Sequence, residues 1–191
     1  EPAVDEALGG LGRVVMVAAH QGRGLDAHLA VLARGEDLSR VVDRDDLVVL
    51  SDFAHHPTAI SGALHSLRAR WPEHRLVACF EPRSNTAVTN VFQDCFADAL
   101  SVADEVLLGT AHRAEKIPPE NRIDTQGMVE RIEGAGKRGR AFARNQELAD
   151  FLATKIDGKT SALVVFFSNG SFDGIIERFA SSLKNMNEFP A

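Results

Sequence analysis

The sequence predicts an α/β fold, doubly wound and Rossmann-like, in which a mostly parallel sheet carries helices on both faces. Two observations predict it. Apolar runs at 47–50, 76–80, Glu105–Leu108 and Ala162–Phe167 read as strands, the first of them short, β-branched and uncharged, as expected of a strand buried on both faces of a parallel sheet. Between them lie stretches in which apolar residues recur at helical spacing, so strand and helix alternate along the chain.

In chain order, the first 46 residues are the least regular. Residues 14–19 read as a strand and 25–33 as a helix, but Gly9, Gly10, Gly12, Gly22 and Gly24 interrupt both, and charge clusters over 34–46. This segment is expected to be the tail of a preceding domain with a connector, or an extra strand and helix on the main sheet, with the main domain spanning 47–191. After the first strand, Ile60, Ala63, Leu64, Leu67 and Trp71 place a helix over 58–71, with Pro57 at its first turn and Thr58 as a possible cap. The same periodicity predicts helices over 86–100, Thr125–Gly134, 146–156 and 171–183. The glycine-rich stretch 134–139 breaks the chain ahead of a short fifth strand around 140–143.

Composition narrows the function. With 45% hydrophobic residues in 191, the chain can bury a substantial core as one domain, or one domain with an appendage. A net charge of −6 argues against general affinity for nucleic acid or anionic membrane. No apolar stretch approaches the roughly 20 residues that span a bilayer, and no export signal opens the chain, so a soluble, cytoplasmic protein is expected. Its start at Glu1 suggests a processed or excised fragment. Cys79 and Cys95 lack metal-type spacing and are expected to be buried free thiols.

Ligands of parallel sheets bind beyond the carboxyl ends of the strands, and three polar loops follow three predicted strands. The first is Ser51-Asp52-Phe53-Ala54-His55-His56-Pro57-Thr58. Asp52 suits a pair of sugar hydroxyls or nearby arginines. Of His55 and His56, one can donate to a ligand oxygen while the other caps backbone; both can equally be structural. Adjacent histidines point apart and no further ligands stand nearby, so no metal site is expected. In Glu81-Pro82-Arg83-Ser84-Asn85-Thr86, Arg83 can grip a carboxylate or phosphate with paired N–H bonds, and Ser84, Asn85 and Thr86 add neutral donors or cap the next helix. In Ser168-Asn169-Gly170-Ser171-Phe172-Asp173-Gly174, the glycines admit a ligand to the backbone while Ser168 and Asn169 supply polar contacts. A further loop with His112, Arg113, Lys116 and Arg122 either extends the site with positive charge or is solvated. Phosphate-binding GxxxxGK[ST], dinucleotide GxGxxG and nucleophile-elbow motifs are absent.

These three loops, with Ala103-Asp104-Glu105-Val106 between the second and third, resemble in order and spacing the C-terminal domain of the Mur ligases, over roughly 48–183. Glu-Pro-Arg-Ser-Asn-Thr resembles the murein peptide ligase branch in particular. Ser51-Asp52 stands where the family commonly has a double Asp, and Gly170-Ser171-Phe172-Asp173-Gly174 where it has Gly-Gly-Phe-Gly-Gly. The resemblance implies one domain of an ATP-dependent amide ligase that joins a murein tripeptide to UDP-N-acetylmuramate in peptidoglycan recycling. It further implies that UDP-sugar, ATP and Mg2+ are bound mainly by domains absent here, so that this chain alone holds no catalytic residue and does not turn over. By the same carry-over Asp52 holds the ATP ribose, and His55 and His56 approach the nucleotide. Arg83, Ser84, Asn85, Thr86, Ser168, Asn169 and Phe172 then shape the peptide pocket. The reading from another class is a stand-alone α/β binding or regulatory module for a nucleotide or sugar phosphate, without catalysis; a hydrolase lacks a nucleophile with its base.

Overall fold

The computed structural model describes residues 39–43, 46–156 and 160–187; the strand and helix read at 14–19 and 25–33 lie outside them. Six strands form one sheet: β1 (Ser39–Asp43), β2 (Leu47–Asp52), β3 (Arg75–Phe80), β4 (Glu105–Leu108), β5 (Arg138–Ala141) and β6 (Ala162–Phe167). Their order is β1-β2-β6-β3-β4-β5. All neighbours are parallel except β1, which runs antiparallel to β2. Among the described residues five α-helices pack on this sheet: α1 (Pro57–Arg70), α2 (Gln93–Leu100), α3 (Thr125–Gly134), α4 (Asn145–Lys155) and α5 (Ile175–Asn187).

Successive side chains of a strand point to opposite faces, and the two apolar clusters follow that alternation residue by residue. On one face Val48, Leu50, Ala78, Phe80, Val165 and Phe167 meet Ile60 and Leu64 of α1, Phe96 of α2 and Ile132 of α3. On the other, Val49, Val77, Cys79, Val164 and Phe166 meet Leu148 and Leu152 of α4 and Phe179 and Leu183 of α5. Both faces are therefore covered, which explains why β6 reads as an unbroken apolar run, Ala-Leu-Val-Val-Phe-Phe.

Strands β4 and β6 and helix α3 occupy the residues the periodicity predicts. Three elements differ, each for a local reason. The helix expected from residue 86 begins only at Gln93: the Val88 carbonyl accepts from the Ile123 amide at 3.1 Å and Asn90 Nδ2 donates to the Glu120 carbonyl at 2.9 Å, tying this stretch to a neighbouring loop. Strand β5 lies two residues earlier than expected, paired in register with β4 from Glu105–Arg138 to Leu108–Ala141. The last helix starts at Ile175, because Phe172, Asp173 and Gly174 all have positive φ (50°, 51° and 72°), which a right-handed helix cannot contain. Strand β1 falls in the charged segment 34–46, where no apolar run announces it. Among the described residues no helix is long and apolar enough to cross a membrane.

A candidate ligand-binding rim

The parallel strands end in register. Asp52 pairs with Phe167, and Phe167 with Phe80, which pairs with Leu108. The ladder continues one step past the strands: the Ser168 amide donates to the Asp52 carbonyl (3.1 Å), Glu81 to Phe167 (3.0 Å) and Gly109 to Phe80 (2.8 Å). The turns carrying Asp52, Arg83 and Asn169 consequently share one rim, and the 109–116 loop joins it through the His112 amide, which donates to the Pro82 carbonyl at 2.8 Å.

At the centre of this rim stands Glu81, which follows five buried strand residues and has only 1% of its side chain exposed. Its Oε2 accepts from Ser168 Oγ at 2.5 Å, and its Oε1 from Arg83 Nη1 at 3.2 Å and Asn145 Nδ2 at 3.5 Å. A buried carboxylate is costly unless charge and hydrogen bonds compensate it, and these three donors do so. Asn145 is fully engaged: Oδ1 accepts from the Thr110 amide (2.8 Å), while Nδ2 also donates to Asp173 Oδ2 (2.8 Å). Packing here is tight; a Cβ on Gly109 would lie 2.5 Å from Asn145 Oδ1 and 2.6 Å from Phe172 Cε2.

Asp173 belongs to the left-handed turn. For L-residues that conformation costs about 1–2 kcal/mol each. Side chains hold it in place: Asn145 grips the Asp173 carboxylate, and Arg178 donates to the Asp173 carbonyl and, at 3.3 Å, to that of Gly174.

The residues expected to touch ligand divide sharply. Arg83 has 25% of its side chain exposed; Asn85 and Thr86 are exposed, and Asn169 is half-buried. Ser168, by contrast, is buried and spends its hydroxyl inside the domain, donating to Glu81 and accepting from the Gly170 amide at 3.0 Å. Ser84 Oγ accepts from the Ala87 amide at 3.1 Å. Phe172 is fully buried, edge-on to Phe166 with centroids 5.7 Å apart, so its ring belongs to the core beneath the rim and does not line its surface.

In the first loop, Asp52 is buried and Oδ1 accepts from the Ala54 amide at 2.8 Å, so this carboxylate shapes the turn that presents the histidines. Both histidines are exposed. His56 caps α1 by accepting from the Thr58 amide at 3.4 Å and sits edge-on to Phe92; His55 sits edge-on to Phe53, its Nδ1 3.0 Å from the Phe53 carbonyl. Of the basic loop, Arg122 turns inward, donating to the Ile117 carbonyl at 2.6 Å and to that of Glu115 at 3.3 Å. Among the described residues no three His, Cys, Asp or Glu side chains gather as a metal cage. Both cysteines are free, but only Cys79 is buried; Cys95 is exposed, because it lies outside the apolar stripe of the amphipathic α2, which faces the core with Phe96, Ala97 and Leu100. Burial, with the charge of Glu105 adding to it, pushes the Cys79 thiol well up, so it stays protonated.

Sequence reasoning did not single out Glu81, Asn145 or Asp173. The signal for Glu81 was a carboxylate placed directly after an uninterrupted buried strand; Asn145, in an ordinary polar helix start, offered none.

Fold and rim together define a Rossmann-like α/β domain whose carboxyl-end loops are cross-linked around a buried carboxylate. The model of the family "Mur ligase, glutamate ligase domain" matches residues 38–170 of this chain. The chain belongs to the Mur ligase family. It is 30% identical over 139 residues to the UDP-N-acetylmuramate–L-alanine ligase of Magnetococcus marinus, covering 71% of this chain and 29% of that protein. The corresponding ligase of Streptococcus suis is 30% identical over 74% of this chain and 30% of its own. Among solved structures, the murein peptide ligase of Psychrobacter arcticus superposes with a TM-score of 0.60 at 28% identity, covering 80% of this chain and 30% of that one. The chain thus spans about 29–30% of the length of these relatives.

Proposed function

We propose that this chain is the C-terminal substrate-binding domain of an ATP-dependent amide ligase that joins a murein tripeptide to UDP-N-acetylmuramate in peptidoglycan recycling, in the cytoplasm. The observation that carries this reading is Arg83. It lies on the rim with a quarter of its side chain exposed, in a loop, Glu81-Pro82-Arg83-Ser84-Asn85-Thr86, that resembles the murein peptide ligases. A forked cation held in that position suits a carboxylate of the incoming peptide, with Asn85, Thr86 and Asn169 as neighbouring donors and acceptors. Ser84 and Ser168 shape the two loops from within, and Phe172 supports them from below.

The exposed edges of His55 and His56 fit one side of a bound nucleotide, and Asp52 holds their loop for that contact. The donor set does not fit magnesium, so the metal and the phosphates of ATP belong to other domains in this reading. What this chain contributes is orientation of the peptide's amine and closure of the cleft against water.

The relatives named for adding L-alanine support a second reading, in which the amine is L-alanine itself. Titration of the chain with tripeptide and with L-alanine, followed by amide resonances of the three loops, separates the two. Tripeptide shifts lost on Arg83→Ala are expected; shifts with L-alanine alone favour the second reading, and no shift with either ends both.

A further inference from the structure

Arg83 is constrained from two sides. Its Nη1 donates to Glu81, and its aliphatic end and guanidinium lie against Gly170, where a Cβ would sit 2.5 Å from Cδ and 2.6 Å from Cζ. Its Nη2 makes no hydrogen bond among the described residues. Glu81 cannot itself meet a ligand, being 2% exposed and committed to Ser168, Arg83 and Asn145. We propose that Glu81 and Gly170 form a positioning clamp that fixes the open edge of Arg83 toward one carboxylate of the amine substrate, making the site select for that carboxylate.

The proposal rests on the peptide-binding reading above. Its physical content is the difference between a tethered arginine and a guided one. A guanidinium on a free four-bond side chain attracts any anion, whereas one held on one edge by a buried carboxylate presents a fixed fork to a planar partner. Because Glu81 offsets part of the charge of Arg83, the pair is a weak general anion attractor, and selectivity comes from geometry.

The test compares the 191-residue chain with Glu81→Gln and Gly170→Ala. Each is titrated with the L-alanyl-γ-D-glutamyl-diaminopimelate tripeptide and with the same peptide bearing only carboxamides, while the Arg83 Nε–H resonance and its exchange with water are recorded. The unsubstituted chain is expected to prefer the carboxylate peptide by about tenfold or more. Both substitutions are expected to bring that ratio close to one and to speed Arg83 exchange, while thermal unfolding of Gly170→Ala stays cooperative. The ratio is the readout that a merely structural role would leave in place. Should Glu81→Gln fail to fold, Gly170→Ala decides, since residue 170 is exposed. A ratio retained in folded variants overturns the clamp. If Arg83 exchange responds but the unsubstituted chain binds neither peptide, the peptide-binding reading has failed and the clamp's role falls with it; if peptide binds and exchange is unchanged, the clamp alone has failed.

Discussion

Each end of the parallel sheet carries one carboxylate that gathers partners from several elements, and the two are used differently. At the amino ends, Asp104 is 39% exposed; Oδ2 accepts from Arg68 Nη2 at 2.6 Å and from the Leu76 amide at 2.9 Å, and Lys137 stands 3.8 Å from Oδ1. At the carboxyl ends, Glu81 is almost wholly enclosed and receives only side chains. Asp104 bonds backbone and solvated cations, so it fastens α1 to the starts of β3 and β4. Glu81 instead bonds the buried Ser168 and Asn145 and the partly exposed Arg83, so its position is transmitted to the surface through the arginine. A carboxylate that serves the fold can stand half in water, whereas one that arranges a site is better sealed, since low local polarity strengthens each bond it makes.

Substitutions can break this contrast. The largest effect is expected from Phe172→Ala, which empties the space beneath the rim and costs about 3–5 kcal/mol in urea unfolding. A loss well under 1 kcal/mol would mean that the ring does not belong to the core. Next comes Glu81→Ala, which leaves buried donors of Ser168 and Asn145 unmatched and Arg83 without its partner, at about 2–3 kcal/mol by the same measurement. Asp104→Asn is expected to cost about 1 kcal/mol, because its bonds are partly solvated. The smallest effect belongs to Asp98→Ala: its bonds of 2.6 and 2.8 Å to Arg131 are exposed, and a change of at most about 0.5 kcal/mol, shrinking with salt, is expected.

The pH dependence sharpens the same contrast. Partial burial pushes the Asp104 carboxyl up, but hydrogen bonds from Arg68 and the Leu76 amide, with the charges of Arg68 and Lys137, outweigh it and hold the group below its ordinary value. A carboxyl lowered by folding stabilises fully above its unfolded value, near 4, and that contribution disappears as the pH falls through the lower folded value. Asp104→Asn should therefore flatten the acid limb of the stability curve below about pH 4. An unchanged limb would remove Asp104 as its source.

Most of the sheet was legible because its central strands are buried on both faces and leave apolar runs, unbroken in β6. Strand β1 was not, since Arg40 and Asp43 flank its two valines and the pairing that makes it a strand is supplied by β2. The rim was legible as three loops, yet which side chains face outward was not. Ser168 and Asn169 are neighbours of similar polarity, and only the approach of Glu81, 87 residues from Ser168 in sequence, turns the serine hydroxyl inward. Phe172 likewise looks available in a glycine-rich string; its positive φ and the space under Gly109 decide that it is not. The structure thus assigns by long-range contact what local pattern leaves equivalent.

Among the described residues, strand β5 is the last of the sheet on the side away from β1, and both of its arginines, Arg138 and Arg140, are exposed. Arg140 lies over the Phe151 ring at 4.6 Å and Lys155 over the same ring at 5.3 Å. Borders of like charge repel, so two copies of this domain should not join β5 edge to β5 edge. A strand that added there would be favoured by acidic side chains opposite Arg138 and Arg140.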